Sequence, residues 1–247
     1  MRLTNGSISF NGDYPPNIIE CKNEEEMKEL YNDIFISRQK SLQFVVSERD
    51  KQTGSRIGGY APSYFDDDLI MEKYSLQEYV YYFSIGVDLF PNLIDNEVSI
   101  FIPKDFELYN RNNIYPHFPI KCIMHTPSIR GNNEKICNKN IMSKQLISKG
   151  IVNDLEEVED VDELGKILLE PVMGNKIGGT PAMLQREPSY YTWLDKDKYV
   201  FVMQFDESSY LRNQIIGNEP FCHGIIYFYG KFENGMLVEL VGGFWQN

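Results

Sequence analysis

Short apolar runs bounded by turn-forming residues dominate the hydrophobic pattern of this chain. They are rich in β-branched and aromatic residues and are flanked by Gly, Pro, Asn or Asp, which favours strands over helices. The clearest runs are residues 43–46, 79–85, 98–102, 199–205 and 225–229. Each run is predicted to form a strand.

A hairpin is predicted near the end of the sequence. Apolar stretches flank Asn234-Gly235, and both residues of that dipeptide tolerate the positive φ angles of a two-residue turn. Residues 224–245 are therefore expected to form two antiparallel strands.

Helical periodicity is confined to residues 23–34 and 154–168. In the first segment the apolar residues share one face, Asn23 is placed as an N-cap, and glutamates fill the first turn, where the helix dipole favours them. In the second segment an apolar stripe lies opposite an acidic face. The acidic residues of that face are Glu156, Glu157, Glu159, Asp160, Asp162 and Glu163. Many short strands and few helices predict the α+β class with a mainly antiparallel sheet.

The segment 110–149 has weak periodicity and is rich in Asn, Pro and Lys. It is predicted to be an irregular connection with a short helix near residues 141–148. Because a structureless segment of that length is unusual in a compact domain, the alternative is that it contains strands the pattern does not show.

The chain resembles itself at a fixed offset. Residues 55–62 match residues 175–182, and residues 79–85 match residues 199–205, both pairs at an offset of 120. Two motifs in the same order at the same offset predict a duplicated unit.

The duplication predicts two similar halves, at about residues 54–103 and 174–230. Two copies are too few for a solenoid, which needs at least about three repeats. We therefore expect both halves to pack into a single globular domain spanning residues 1–247.

The repeated motifs resemble the YwqG-like family of bacterial proteins. The resemblance lies in GNKIGG at 174–179, QREP at 185–188 and VMQFD at 202–206, and in RIGG at 56–59 of the first half. The sequence departs from the family pattern at 221–224, where FCHG stands in place of the usual G-D-x-G turn.

The resemblance covers roughly residues 54–103 and 174–229. It implies an α+β fold with an internal duplication, and it carries over no catalytic residue because the family has no assigned reaction. It also implies that the gene lies near polymorphic-toxin genes.

The charge balance narrows the classes of partner. The 247 residues include 24 Lys plus Arg and 36 Asp plus Glu, giving a net charge of −12. This acidity argues against nucleic acid and against an anionic membrane surface, because both require a surplus of cations. It suits a basic protein partner through electrostatic steering. The alternative is that acidity serves only solubility.

The predicted compartment is the cytoplasm. The first residues lack the apolar segment of a signal peptide, and no apolar run approaches the length of a membrane span. Four scattered cysteines with no C-x-x-C motif are typical of a reducing compartment.

Few residues in the sequence are candidates for catalysis or for binding a cofactor or metal. The Ile-Gly-Gly motifs lack the spacing of phosphate-binding loops, so their glycines are interpreted as backbone requirements. His117, Cys122, His125 and Cys137 are zinc-ligand types at a spacing that matches no standard site. Cys222 and His223 are adjacent, and in a strand adjacent side chains point to opposite faces. We therefore predict no catalytic residue, no cofactor and no metal.

Two acidic clusters are the candidate partner-binding residues. One is the acidic face of the second predicted helix, and the other is Asp66-Asp67-Asp68 in a predicted loop. The latter lacks the alternating ligand pattern of a calcium loop. The alternative for the helix is a solvated face that binds nothing.

These observations predict a non-enzymatic binding protein, an immunity protein that neutralises a basic toxin domain by direct contact. The first alternative is a small-ligand-binding protein or an uncharacterised enzyme with a pocket between the two halves, where Gln204, Asp206 and Gln185 are the candidate polar groups. The second alternative is a structural module stabilised by a metal at Cys122 and His125. The oligomeric state is not predicted.

Overall fold

The predicted strands form in the computed structural model, which describes residues 19, 26, 29, 33–105, 112–161 and 167–247, with the backbone alone at 156–161 and 167–168. The strands are β1 (Lys40–Val46), β2 (Arg56–Ile57), β3 (Tyr79–Ile85), β4 (Glu97–Pro103), β5 (Lys121–His125), β6 (Lys144–Asn153), β7 (Leu155–Val161), β8 (Ile167–Pro171), β9 (Lys176–Gly178), β10 (Val200–Asp206), β11 (Ile225–Glu233) and β12 (Met236–Gln246). The short helices are α1 (Asp68–Lys73) and α2 (Thr192–Lys196), and 3-10 turns occupy Ser63–Asp66, Pro91–Leu93, Pro188–Tyr190 and Glu207–Ser209.

The sheet is antiparallel throughout, as the sequence predicts. Over the described ranges, ten strands pair in the order β12-β11-β10-β9-β1-β6-β2-β3-β4-β5. The hairpin is confirmed, since β11 and β12 pair around Asn234 and Gly235, whose φ angles are 51° and 77°. A mainly antiparallel sheet with short helices fits the α+β class.

The sheet has a central pair of strands and two arms. β1 and β6 pair at the centre, the first arm is β2 to β5, and the second arm is β9 to β12. In the first arm Arg56 pairs with Ser84, and in the second arm Lys176 pairs with Gln204. The two glycine motifs therefore begin at matching positions on either side of the central pair.

The prediction of a helix over residues 154–168 is wrong. The segment forms β7 and β8, which pair as a separate two-stranded sheet with Glu156 opposite Glu170. A helix would place like charges four residues apart, for example at Glu156 and Asp160, where they repel each other. The β-branched residues in this segment also favour a strand. The apolar spacing that indicated a helix was therefore outweighed by charge and by β-branching.

The described residues of the other predicted helix are helical. They are Glu26, Glu29, Asp33 and Ile34, and the helix continues to residue 36, two residues beyond the predicted end. Ile34 is fully buried, as its apolar position predicts. The remaining residues of 23–34 lie outside the described part of the chain.

The prediction for residues 110–149 is partly wrong. The segment contains β5, and its end begins β6, so the short helix expected near 141–148 is replaced by a strand. Strand β6 lies between β1 and β2 at the centre of the sheet. Its conformation is set by pairing with strands distant in sequence, which local propensity does not report.

Apolar side chains cover both faces of the sheet. The main core lies between the arms, where Phe83 of the first arm stacks on Phe205 of the second at a ring-centroid distance of 5.1 Å. Smaller clusters cover the outer faces, one around Tyr81 and Phe101 and the other around Phe201. Strands buried on both faces read as continuous apolar runs rather than as alternation, which explains the sequence pattern.

The two edge strands of the sheet approach each other. Cα atoms of β5 and β12 lie within 8 Å, and Tyr115 N donates to Gly243 O at 2.6 Å beside them. In the described part of the chain no helix has the length and apolar character needed to span a membrane.

Candidate functional site

The acidic hairpin, residues 155–171, carries half of the net charge of the chain. It contains seven acidic residues and one lysine, a net charge of −6 against −12 for the whole sequence. Of the predicted partner-binding residues, Glu156, Glu157, Glu159 and Asp160 lie on β7, whereas Asp162 and Glu163 lie outside the described residues. The structure therefore places four of the six predicted acidic residues on one strand.

The backbone pairing of the acidic hairpin brings like charges together. Glu156 lies directly opposite Glu170, and like charges in that position destabilise a strand pair. Glu170 also lies 3.2 Å from Arg186, but both side chains are more than half exposed, so this ion pair contributes little. The sequence of the hairpin therefore carries a large excess of negative charge.

Exposed apolar residues lie on or near the acidic hairpin. Leu169 is 54% exposed and Leu155 is 38% exposed, and Met173, just beyond β8, is 48% exposed. Apolar contact area surrounded by charge is typical of a protein-binding surface. The hairpin thus combines negative charge with exposed apolar area.

The second predicted acidic cluster has partners inside the protein. Asp66 accepts hydrogen bonds from the backbone N of Asn132 and of Asn133, each at 3.1 Å. Asp67 caps α1 by accepting from Leu69 N at 2.9 Å, and Asp68 pairs with a lysine of the loop after β5. No hydrogen bond or ion pair described for these aspartates joins them to the acidic hairpin. The structure therefore brings Asp66–Asp68 to that loop rather than to the other candidate residues.

The residues of the zinc hypothesis do not converge. Among the described residues no group of three or more His, Cys, Asp or Glu is placed to hold a metal ion. His125 is buried on β5, and its Nε2 lies 2.7 Å from Ser99 Oγ. Burial lowers the pKa of His125 to about 4, so the ring is neutral. His117 is exposed, and burial raises the pKa of the Cys122 thiol.

A buried ion pair in the first arm was not predicted. Arg56 and Glu97 are almost completely buried, with Arg56 Nη2 at 3.2 Å from Glu97 Oε1. Burial raises the pKa of Glu97 to about 7, and Arg56 opposes that rise. A charged side chain is tolerated in the core when it has a partner of opposite charge. Arg56, which precedes Ile-Gly-Gly, therefore has a structural role.

The second arm holds a similar pair. Lys176 Nζ lies 2.7 Å from Asp154 Oδ1, and neither side chain is exposed. Asp154 also accepts from Thr180 N at 2.6 Å, which fixes the chain after the second glycine motif. A basic residue inside an apolar motif is the signal that could have indicated both ion pairs.

The polar residues predicted to line a pocket between the halves form hydrogen bonds within the second arm instead. Gln204 Oε1 accepts from Ala182 N, and Gln204 Nε2 donates to Gly174 O, both at 2.9 Å. Asp206 accepts from Ser208 N at 2.9 Å. Gln185 accepts from the Tyr190 hydroxyl at 2.8 Å. These side chains stabilise loops of the second arm.

A cleft does lie between the arms, formed by other residues. It is bordered by residues at the ends of β3 and β4, by loop residues 134–140 and by residues 216–223, and its volume is about 1020 Å³. We call it the interarm cleft. Its walls therefore come from both arms and from the loop between β5 and β6.

Cys222 and His223 line the interarm cleft. They lie in a turn with φ angles of 53° and 64°, not in the strand that would place them on opposite faces. His223 Nδ1 is 2.6 Å from Glu219 Oε2. Among the described residues, no hydrogen bond joins the Cys222 thiol to the His223 ring.

A buried carboxyl group supports one wall of the interarm cleft. Glu207 is 1% exposed and accepts a hydrogen bond from Phe221 N at 2.9 Å. The hydroxyls of Tyr82 and Tyr210 donate to it at 3.3 Å. Burial, together with the charge of nearby Glu219, raises the pKa of Glu207 to about 8, although the hydrogen bonds from Phe221 N and the two tyrosines oppose the rise. This cluster ties the second arm to the first, because Tyr82 lies on β3.

Comparison with known proteins adds no assignment. No family model matches the chain, and no curated protein matches it. The YwqG-like resemblance therefore stays a prediction from the motifs of the sequence.

Proposed function

We propose that this protein is a non-enzymatic immunity protein that neutralises a basic toxin domain by binding it directly. The observation that carries the proposal is the concentration of half of the net negative charge on one hairpin, outside the main sheet. Charge complementarity of this kind accelerates association and selects partners of opposite sign.

The acidic hairpin gives such a partner two sources of binding free energy. Cationic side chains of the partner are attracted to this charge, and they relieve the repulsion expected between Glu156 and Glu170, which pair directly across the two strands. The exposed leucines of the hairpin supply apolar area. A basic protein surface fits both features, and we place the complex in the cytoplasm.

The proposal includes an origin of the fold by duplication. Three features at an offset of 120 residues support it: the pairs Arg56–Ser84 and Lys176–Gln204, bulges after Tyr81 and Phe201, and two successive left-handed glycines after each motif. In this view the arms are divergent copies within one domain.

The test uses charge reversal on the acidic hairpin. The partner is the most basic toxin domain encoded beside this gene, in a catalytically inactive form. The triple variant Glu156→Lys, Glu157→Lys, Glu159→Lys is expected to associate at least about tenfold more slowly, with a weaker dependence on salt. Stopped-flow fluorescence at several salt concentrations measures both quantities.

The matched control reverses three exposed carboxylates elsewhere. Glu72, Glu78 and Glu233 are exposed and lie outside the acidic hairpin, so their replacement by lysine gives the same net charge. The control is expected to keep most of the association rate and to protect cells that express the active toxin. Equal loss in both variants would contradict the role of the hairpin, and absence of any binding by the natural protein would overturn the proposed function.

A further inference from the structure

The interarm cleft has a charge balance opposite to that of the whole chain. Lys104, Lys135 and Lys139 line it together with Glu134 and Glu219. Cations therefore outnumber anions in the lining, although acidic residues exceed basic residues by 36 to 24 in the sequence. A positive region inside an acidic protein attracts small anions locally.

The lysines of the cleft are available to a ligand. Lys139 pairs with Glu134 at 2.9 Å and Lys135 pairs with Asp68 at 2.6 Å, but each lysine side chain is at least 66% exposed. Exposed ion pairs of this kind contribute little to stability. Replacing a surface carboxylate by the anionic group of a ligand therefore costs little.

Asn138 contributes a side-chain amide to the lining of the cleft. Asn138 is only 4% exposed and lines the cleft, and its Oδ1 accepts from Asn140 N at 3.1 Å. Its backbone is fixed by reciprocal hydrogen bonds with Gly59, at 2.9 Å and 3.2 Å. Among the described residues no acceptor for Asn138 Nδ2 is recorded. The atom keeps contact with solvent, so it can donate to an acceptor that enters the cleft.

Apolar side chains also line the cleft. Val80 and Ile102 contribute from the first arm, and Ile216, 59% exposed, contributes from the second. Beside it, a Cβ added at Gly217 would meet no atom within 4 Å. The volume of about 1020 Å³ lies at the upper end of the range for small-molecule sites.

We infer that the interarm cleft binds a small organic anion, a molecule that carries a carboxylate or phosphate group on an apolar body. The anionic group lies toward Lys135 and Lys139, one of its oxygens accepts from Asn138 Nδ2, and the apolar body lies against Ile102 and Ile216. This site is separate from the acidic hairpin and does not depend on the proposed immunity function.

The test compares simple probes with matched chemistry. Phenyl phosphate and phenylacetate present an anionic group on an aromatic body, and benzyl alcohol is the neutral counterpart. Inorganic phosphate tests the charge without the body. Saturation-transfer NMR with the full-length protein is expected to detect the two aromatic anions, and the preferred one identifies the anionic group.

Thiol footprinting places the probe in the cleft. Cys137 and Cys222 line the cleft, whereas Cys122 does not. The preferred anion is expected to slow alkylation of Cys137 and Cys222 by iodoacetamide and to leave Cys122 unchanged. Equal rates with and without the anion at all three thiols would overturn the assignment.

Two substitutions test the named groups. Asn138→Asp replaces the free donor by a carboxylate and is expected to weaken binding at least about tenfold. Lys139→Glu is expected to weaken it about threefold or more, and Lys73→Glu, the same charge change outside the cleft, is expected to have little effect.

The outcomes separate the two proposals. If Asn138→Asp lowers the melting temperature so that binding cannot be measured, the comparison of Lys139→Glu with Lys73→Glu decides. Equal loss in those two variants, or binding of benzyl alcohol as tight as that of the anions, would overturn the inference. The hairpin triple variant is expected to bind the anion normally, so failure of either proposal leaves the other intact.

Discussion

At the residue scale, the glycines of the two motifs meet a backbone requirement. Gly58 and Gly59 have φ angles of 72° and 66°, and Gly178 and Gly179 have φ angles of 74° and 68°. A Cβ at Gly178 would lie 2.7 Å from Ile34 Cβ. The structural interpretation of these glycines is therefore confirmed, and glycine is the residue type from which it could be predicted.

The buried glutamates are a second feature of individual residues, and the sequence did not predict their burial. Glu97 and Glu207 are surrounded by groups that are distant in the chain, such as Arg56 and Tyr82. Burial and hydrogen bonding determine the pKa of a carboxyl group, and both exist only after folding. A glutamate in a loop and a glutamate in the core look alike in a sequence.

Replacement of Glu207 by glutamine should change how stability depends on pH. The pKa of Glu207 is raised from 4.5 to about 8, so the folded state binds a proton that the unfolded state releases between these values. This contribution to stability is complete below the unfolded pKa and is lost as the pH rises through the folded pKa. Glu207→Gln is therefore expected to stabilise the protein at about pH 9 relative to the natural chain, with little change at about pH 4.

Thermal melting across that pH range measures the effect. Glu72→Gln is the control, because Glu72 is exposed on α1 and is not among the groups that shift the pKa of Glu207. A stability difference between Glu207→Gln and the natural chain that is the same at both pH values would contradict the raised pKa.

At the element scale, local signals predicted the strands better than the helices. The turn at Asn234-Gly235 and the aromatic runs specify their own conformation. The acidic segment was predicted as a helix because apolar residues recur at helical spacing in it. The described residues of that stripe lie instead in the paired strands β7 and β8. The apolar spacing of a short segment can fit both a helix and a strand. Charge repulsion and strand pairing then determine its conformation, and neither is part of a count of apolar periodicity.

The turn between β11 and β12 allows a clean measurement of backbone strain. Gly235 has a φ angle of 77°, and a Cβ placed there would meet no atom within 4 Å. Gly235→Ala is therefore expected to cost about 1–2 kcal/mol of unfolding free energy through the left-handed conformation alone. Urea denaturation measures this cost.

Gly86→Ala is a suitable comparison for that experiment. Gly86 is not among the glycines with positive φ, but a Cβ there would lie 3.0 Å from Asp88 Oδ1. Its cost arises from crowding rather than from φ. A Gly235→Ala variant as stable as the natural chain would show that the turn adopts another conformation.

At the scale of the whole molecule, the core between the arms joins the two arms of the sheet. Phe83 stacks on Phe205, and Tyr82 and Tyr210 share the carboxyl group of Glu207. Apolar and polar contacts therefore connect the same two arms. We expect the arms to unfold together rather than one at a time.

A double-mutant cycle tests the connection between the arms. Phe83→Leu and Phe205→Leu are each expected to destabilise the protein, and their combination is expected to cost less than the sum, with a coupling of about 0.5–1.5 kcal/mol. Chemical denaturation of the four proteins measures it. The pair Phe65 and Phe201, which lie in separate outer clusters, is the control and should be additive. Additivity at Phe83 and Phe205 would contradict a shared core.

The two candidate sites differ in how well they can be predicted from the sequence. The acidic residues of the hairpin are evident in the sequence, but the sequence pattern predicted a helix rather than two strands for them. The interarm cleft was not found, because Asn138, Lys139 and Ile216 are ordinary surface residues in the sequence. They share only their position in the lining of the cleft, where loops that are distant in the sequence meet.

The sequence by itself determined the strand-rich character, the terminal hairpin, the glycine positions and the strong negative charge. These properties follow from local propensity, turn chemistry and composition, which act without long-range contacts. Only the tertiary structure decided the central place of β6, the strands of the acidic hairpin, the buried ion pairs and the cleft between the arms. Each of these depends on residues far apart in the chain, because pairing, desolvation and cavity shape arise only when those residues meet.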